Sequence, residues 1–198
     1  MPRPSSFTSD ELAERALQRF WLHGYYATSM DDLVRSTGVS RQGIYSTFGG
    51  KKGLFLACFV RYLELVVSPA FEVVESPNAG LSSFAAYFDF QISRAEKAGL
   101  PGPGCFVANS TTELAQHDTD VMKAVSQHTN RLVAGFSSAL RNARSKSCTL
   151  ADKEIDDLSR AILCFANGLW ALSRGVNDAK NLREPVRVFL DLIAEKIE

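Results

Sequence analysis

The chain has 198 residues, of which 45% are hydrophobic, and its 22 basic and 22 acidic side chains give a formal net charge of zero. This length can bury a proper core in one medium domain or in a small and a larger one, and the balanced charge argues against a generic polyanion-binding protein. The 4 cysteines stand far apart without a CxxC pair, which argues against a zinc site and a disulfide scaffold. We therefore expect no metal and no cofactor.

The periodicity of the apolar residues is helical in almost every segment, which predicts an all-α fold of about nine helices. The N-terminus lacks the apolar region of a signal peptide, and no segment reaches the roughly 18–20 uncharged apolar residues of a membrane span. Isolated thiols indicate a reducing compartment. These features predict a cytoplasmic protein without a membrane partner.

The first predicted helix begins near Thr8, because Thr8 and Glu11 have the spacing of a capping box, and it ends at Gly24. A long fourth helix begins at Lys51. Pro69 is expected to bend or end that helix, since proline cannot donate the backbone hydrogen bond of a helix interior.

Two short helices between them have the spacing of a helix-turn-helix. One follows Ser29 and ends at Gly38, and the next follows Ser40 and runs to about Thr47. Gly38 supplies the positive φ of a tight turn, and the first helix of such a unit braces the second against the major groove of DNA. The apolar residues spaced to pack these helices are Leu33, Val34, Val39 and Ile44.

Five further helical stretches follow Gly80. They are predicted over Leu81–Ala98, Cys105–Gln116, Asp118–Arg144, Leu150–Val176 and Arg183–Ile197.

Between Leu33 and Leu63 the chain carries five basic residues and no acidic residue. They are Arg35, Arg41, Lys51, Lys52 and Arg61. Such a run is either a surface for the phosphate backbone of DNA or a merely solvated face.

The segments GYYATSMDDL, from Gly24 to Leu33, and GVSRQGIYSTFGGKKGLF, from Gly38 to Phe55, resemble the N-terminal domain of the TetR family of transcriptional regulators. The resemblance extends without a gap from Leu12 to Phe59. It implies a bacterial DNA-binding regulator with a three-helix helix-turn-helix domain in residues 1–50. Residues 51–198 would then form a helical ligand-binding and dimerisation domain.

The resemblance also implies which residues contact DNA. Thr28 matches a position that touches phosphate, although its hydroxyl could equally cap a helix, and Tyr45 and Lys51 match a pair that clamps the backbone. A phenol and an ammonium suit that role, although Tyr45 could also be a core residue. The outer face of the recognition helix carries Ser40, Arg41, Gln42, Gly43, Ser46 and Thr47. Gln42 can bind adenine and Arg41 guanine or phosphate, whereas Gly43 departs from the commoner Thr or Ala and could allow closer approach to bases.

A heptad-spaced apolar seam runs along the penultimate predicted helix, and the last helix carries a second stripe. A single chain could bury both stripes, but the family resemblance implies a four-helix bundle between two subunits. The residues predicted for this dimer interface are Ile155, Leu158, Ile162, Phe165, Leu169, Leu172, Phe189 and Ile193.

The middle helices are rich in aromatic residues, which pack a core more often than they line a pocket. In the TetR family, however, this region encloses an inducer cavity, and aromatic walls with a few polar groups describe such sites. The candidate pocket residues are Tyr62, Phe88, Cys105, Phe106, Asn109, Glu113, His128 and Trp170.

Cys105 follows Pro-Gly-Pro-Gly within a stretch that resembles the Gly-Cys-x-x-x-Asn segment of one TetR subgroup, in which some members sense electrophiles through cysteine. A thiol at a helix N-terminus has a lowered pKa, so Cys105 is either a reactive group or a packing residue.

The sequence thus predicts a homodimeric repressor, not an enzyme, that leaves a palindromic operator when a small-molecule inducer, electrophilic or not, shifts helix four. The alternatives are a helical small-molecule-binding protein or enzyme that uses the aromatic cavity, and a DNA-binding protein without an effector. No sequence motif of a hydrolase, a zinc protease or a nucleotide-binding enzyme is present.

Overall fold

A computed structural model describes residues 7–144 and 150–197, and every regular element in these ranges is helical. The described chain divides into two compact units. The first, called the head unit here, contains the residues up to Val67 together with Asn109–Val125, and the second contains Ser68–Ala108 and the residues from Ser126 onward. The all-α prediction is confirmed; the proposed boundary at residue 50 remains a prediction.

Local capping determines the first three helices, α1 (Ser9–His23), α2 (Met30–Thr37) and α3 (Arg41–Phe48). Thr8 and Ser29 each form a complete capping box with the acidic residue three positions later, as predicted for Thr8. These boxes satisfy backbone N–H groups that a helix start would otherwise leave without partners.

A continuous helical stretch of 25 residues, Lys51–Glu75, follows. It consists of α4 (Lys51–Tyr62), a π-helical segment (Leu63–Val67) and α5 (Ser68–Glu75). The expectation that Pro69 ends the helix is wrong, because α5 continues through it, and a bend at this position stays a prediction. The wider π turn directly before α5 gives the proline ring room against the preceding carbonyls.

The same stretch is long and apolar enough to cross a membrane by length and composition, although charged residues such as Arg61 and Glu64 interrupt it. Half of its most apolar window is nevertheless buried inside the fold. Leu54, Phe55 and Phe59 are among its fully covered side chains. We therefore describe Lys51–Glu75 as a core helix.

The remaining helices are α6 (Leu81–Ala98), α7 (Phe106–Glu113), α8 (Thr119–Ala143), α9 (Asp152–Leu172) and α10 (Lys180–Ile197). The ends of α6 agree with the predicted ones, and those of α8 differ by one residue. α7 and α9 are each shorter than predicted by four or more residues in total. If the stretch from α4 to α5 counts as one helix, the described residues contain nine, as predicted. Cys148 lies outside the described residues.

Aromatic rings form the centre of each unit. In the head unit, Phe20 packs edge-to-face on Phe55 with ring centroids 5.1 Å apart. In the second unit, Phe71 packs edge-to-face on Tyr87 and Phe136 at 5.5 and 5.2 Å. Gly135 permits this packing, because a Cβ there would lie 2.6 Å from the Phe71 ring. Edge-to-face pairs of this kind stabilise a core beyond the area that they bury.

Candidate DNA-binding interface

The turn between α2 and α3 has the geometry of a helix-turn-helix. Gly38 adopts a left-handed conformation, with φ 74°, at the end of α2. Ser40 caps α3 by accepting a hydrogen bond from the Gly43 N–H at 3.1 Å. Leu33 and Ile44 are buried between the helices and their neighbours. One face of α3 is thereby held inward and the opposite face is left outside.

The outward face of α3 is composed of the residues predicted to read DNA. The exposed ones are Ser40, Arg41, Gln42, Tyr45, Ser46 and Thr47. Arg41 forms an exposed ion pair with Asp31 at 2.9 Å. Because such pairs contribute only about 0–1 kcal/mol, a phosphate or base can replace the carboxylate at little cost.

Gly43 is half-buried, and the structure gives a reason for its lack of a side chain. A Cβ at this position would lie 2.5 Å from Cγ1 of Val39. The absence of a side chain at Gly43 therefore leaves room for the Val39 side chain in the turn.

The predicted backbone clamp, Tyr45 and Lys51, lies at the end of α3 and the start of α4. The Tyr45 side chain is exposed, at 54%, which is unlike a core residue. The Lys51 ammonium lies 4.2 Å from the centroid of the Tyr25 ring, a cation–π contact. Partial burial lowers the pKa of Lys51, and the nearby Glu113 carboxylate opposes this change.

The structure places Thr28 differently from the expected phosphate contact. Its side chain is fully buried, and its hydroxyl donates a 2.7 Å hydrogen bond to the Gly24 carbonyl. Thr28 thus closes the loop between α1 and α2 internally, and its hydroxyl is not presented to a phosphate.

Most of the basic run is paired with carboxylates that flank it in the sequence or lie far along the chain. Arg35 pairs with Asp32, Arg41 with Asp31, Lys52 with Asp118 and Asp120, and Arg61 with Glu14 and Glu64. Within residues 7–144 and 150–197, Lys51 is the one member of the run that forms no ion pair. The run is purely basic in the sequence, but in the fold it does not form a purely positive surface.

Glu113 is a residue of the head unit that sequence reasoning assigned to the wrong place. It was expected in the inducer pocket, but its two carboxylate oxygens accept hydrogen bonds from the backbone N–H groups of Tyr25 and Tyr26, at 2.9 and 2.8 Å. Glu113 lies 88 and 87 positions from Tyr25 and Tyr26 in the sequence, so no local sequence pattern could have predicted this contact. Tyr62, another predicted pocket residue, packs edge-to-face on Trp21 of α1 with centroids 5.0 Å apart.

Several of the other predicted pocket residues share a neighbourhood in the second unit. Phe88 lies against Trp170, with centroids 6.3 Å apart, and against Tyr87, at 5.1 Å. Burial raises the pKa of Tyr87, and the nearby Cys105 raises it further, against hydrogen bonds from Trp170 and Gln91. Phe88, Cys105 and Trp170 are therefore brought together around Tyr87.

The other pocket candidates are placed as follows. Phe106 is buried at the start of α7, and Asn109 is half-buried one turn later. His128 is 7% exposed, and burial lowers its pKa to about 4. Its Nδ1 has no hydrogen-bond partner among the described residues. His128 is thus an uncharged imidazole at neutral pH with an unused polar atom.

An open groove of 470 Å³ lies elsewhere in the second unit, between α6 and α10. Its apolar floor includes Ile92, Val186 and Leu190, and Arg183 borders it. None of the residues predicted for the inducer pocket lines this groove.

Most residues predicted for the dimer interface are buried or half-buried within a single chain. Ile155, Ile162, Leu169 and Ile193 are each no more than 3% exposed within one chain. Leu158, Phe165 and Phe189 are half-buried, and Phe165 stacks on Phe189 at 4.0 Å. Leu172 alone of the eight is exposed. A heptad pattern indicates that a helix face is packed along its length, but it does not specify which chain covers it.

A different face of α9 and α10 is open. On α9 it consists of small residues with Leu172, and on α10 of two large apolar ones. Its members are Ala161, Cys164, Gly168, Ala171, Leu172, Val188 and Leu192. A Cβ on Gly168 would meet nothing within 4 Å. We call these residues the α9–α10 face.

No group of three or more His, Cys, Asp or Glu side chains that could hold a metal ion occurs in the part of the chain that the structure describes.

Comparison with known proteins agrees with this arrangement. Residues 12–58 match the family described as bacterial regulatory proteins, tetR family, and residues 80–189 match the tetracyclin repressor-like C-terminal domain. Over 194 residues, 98% of this chain and 100% of the relative, the sequence is 26% identical to the uncharacterized HTH-type transcriptional regulator YezE of Bacillus subtilis. It is 31% identical to the HTH-type transcriptional repressor ComR of Escherichia coli over 119 residues, 60% of this chain and 57% of ComR.

Among solved structures, the TetR family regulator CifR, a cysteine mutant complexed with a 26 bp double-strand operator DNA, superposes with a TM-score of 0.80. The superposition covers 96% of this chain and 98% of CifR at 21% sequence identity, so it demonstrates a shared fold. Since the two family matches together cover most of the chain, it belongs to the TetR family of bacterial transcriptional regulators.

Proposed function

We propose that this regulator is a homodimeric repressor that binds a palindromic operator through α3 and leaves it when a small molecule binds the second unit. The observation that carries this proposal is the outward face of α3. It presents Gln42, Tyr45 and Thr47 on a helix without any acidic residue, fixed by a cap at one end and by α4 at the other. Side chains at this position of a helix-turn-helix reach base edges and phosphates in the major groove.

A dimer follows from the amount of DNA that one short helix can read. Two recognition helices related by a twofold axis read two half-sites of a palindrome, whereas one reads too few base pairs for specificity. The α9–α10 face supports this assembly, since its small residues let a second helix approach closely and its exposed Leu192 and Val188 are apolar.

The aromatic cluster around Tyr87 supports an effector site in the second unit. Aromatic walls with a few polar groups are typical of small-molecule sites. His128 also belongs to the second unit. Its Nδ1 could accept a hydrogen bond from a ligand or donate one to it, depending on the tautomer. The inducer is either bound reversibly or, if it is electrophilic, joined to Cys105.

The competing proposal is a helical binding protein or enzyme that uses the same cluster without DNA. The polar, outward face of α3 has no purpose in such a protein, so we favour a regulator without catalytic activity. Because a DNA-binding regulator must share a compartment with its DNA, we place it in the bacterial cytoplasm.

The test is selection of bound duplexes from a randomised palindrome library, followed by mobility shift. The wild type should enrich one palindrome, and Gln42→Ala should lose discrimination at one base pair in each half-site, by roughly 1–3 kcal/mol. Gln127→Ala is the matched control, since Gln127 is exposed on α8 in the second unit. Failure of the wild type to enrich any sequence would favour the competing proposal.

A further inference from the structure

The loop between α1 and α2 is held by a carboxylate from far along the chain. Glu113, the last residue of α7, accepts one backbone hydrogen bond from Tyr25 and one from Tyr26. Hydrogen bonds from backbone N–H groups to an ionised carboxylate are roughly twice as strong as neutral ones. Tyr25 and Tyr26 therefore have a fixed position as long as this carboxylate is present.

Gly24 provides the space for this contact. It ends α1 with φ 81°, and a Cβ there would lie 2.7 Å from Oε2 and 3.0 Å from Oε1 of Glu113. The glycine thus serves two purposes: it adopts a positive φ that other residues rarely adopt, and it lets the carboxylate approach the backbone.

The loop in turn positions the start of α4. The Tyr25 ring packs on Phe55 of α4 at 5.2 Å and carries the Lys51 ammonium on its face at 4.2 Å. The side chain of Glu113 is also close enough to act electrostatically on Lys51. A chain of direct contacts therefore leads from Glu113 through Tyr25 to Lys51.

The segment that follows Glu113 contacts the same end of α4. Asp118 and Asp120 bind the Lys52 ammonium at 2.8 and 2.7 Å. Asp118 also accepts hydrogen bonds from the backbone N–H groups of Asp120 and Val121 at the start of α8. Residues 113–120 thus fix both the α1–α2 loop and the α4 N-terminus.

We propose that Glu113 is a positioning residue for DNA binding: it fixes the α1–α2 loop and, through Tyr25, places the Lys51 ammonium where it contacts a phosphate. This proposal rests on the proposed function, in which Lys51 is a phosphate contact. It makes the end of α7 a second element, besides α4 itself, whose contacts position the Lys51 side chain within the head unit. A change in α7 would alter operator affinity without any change in α3.

The first test uses Glu113→Gln, which keeps the shape but presents an amide NH₂ group to one of the two backbone N–H groups. The control is Glu72→Gln, which removes the same charge at an exposed site on α5. Electrostatics alone predicts that loss of a negative charge strengthens binding to DNA in both variants. Positioning predicts the opposite sign for Glu113→Gln, a loss of about tenfold in operator affinity, because two charge-assisted hydrogen bonds are disrupted.

Two further variants separate positioning from charge and from folding. Glu113→Asp keeps the charge but shortens the side chain, so it should also weaken operator binding. In the double variant Glu113→Gln with Lys51→Ala, the loss should barely exceed that of Lys51→Ala alone, because both changes act on one contact. Additive losses would contradict the route through Lys51.

Hydrogen exchange tests the contact without DNA. The amide protons of Tyr25 and Tyr26 should exchange faster in Glu113→Gln than in wild type or Glu72→Gln, while helical circular dichroism is unchanged. If these amides exchange at the wild-type rate, or if Glu113→Gln binds operator as well as Glu72→Gln, the proposal is overturned. If the wild type selects no palindrome while the amides behave as expected, the proposed function fails instead.

Discussion

Adjacent lysines at the start of α4 provide a matched pair of perturbations, since Lys51 and Lys52 have the same charge and different surroundings. Lys51 contacts the Tyr25 ring without an ion-pair partner among the described residues. Lys52 is bound by two carboxylates, and its pKa is raised, first through the hydrogen bonds to Asp118 and Asp120. We expect Lys51→Ala to weaken binding to all DNA sequences and to reduce the salt dependence of binding, whereas Lys52→Ala should leave that salt dependence unchanged.

The expected size follows from counterion release. Each phosphate that a lysine neutralises contributes about 0.9 to the slope of log K against log salt concentration. A dimer that loses two Lys51 contacts should therefore have a slope smaller by about 1.8. When salt rises fourfold, wild-type affinity should fall about twelvefold more than that of Lys51→Ala. Lys52→Ala should keep the wild-type slope, because its ammonium is already neutralised within the protein.

The assay is fluorescence anisotropy with labelled operator and with random duplex at salt concentrations from about 50 to 200 mM, the range over which such slopes are commonly compared. Lys51→Ala should lose affinity for both duplexes to the same extent, since a phosphate contact has no base preference. If the two variants show equal reductions in slope, the number of charges and not their placement governs binding, and the reasoning is refuted.

Three other predictions concern the second unit and the assembly. Leu172→Glu with Leu192→Glu, both exposed in one chain, should yield folded monomers in sedimentation experiments that no longer bind a palindrome; a dimer would place the interface elsewhere. Burial lowers the pKa of His128 to about 4, so the unfolded state takes up a proton first as pH falls below about 6.5, and stability is lost between about pH 6.5 and 4. Between pH 7 and 5, urea unfolding should show wild type losing about 2 kcal/mol more than His128→Gln, and equal losses would contradict this. Diamide or a quinone should modify Cys105 and release operator from wild type but not from Cys105→Ser; release from both would leave Cys105 a packing residue.

Local signals in the sequence determined the first three helices and the outward face of α3. Thr8 with Glu11 and the serines at positions 29 and 40 begin helices through hydrogen bonds that span three residues. Gly24 and Gly38 end them at positive φ. Interactions of such short range are nearly independent of the rest of the fold, which explains why the ends of α1, α2 and α3 were predictable.

Tertiary structure alone decided which surface residues are paired with partners far along the chain. The basic run appeared single-signed in the sequence, but folding brings Asp118 and Asp120 to Lys52, and Glu14 to Arg61. The heptad spacing in α9 likewise predicted that one face of the helix is packed. It did not specify that Ile155 and Ile162 are buried within their own chain. Glu113 and the α1–α2 loop meet across 87 and 88 residues, a contact that depends on how α7 packs and that no local spacing encodes.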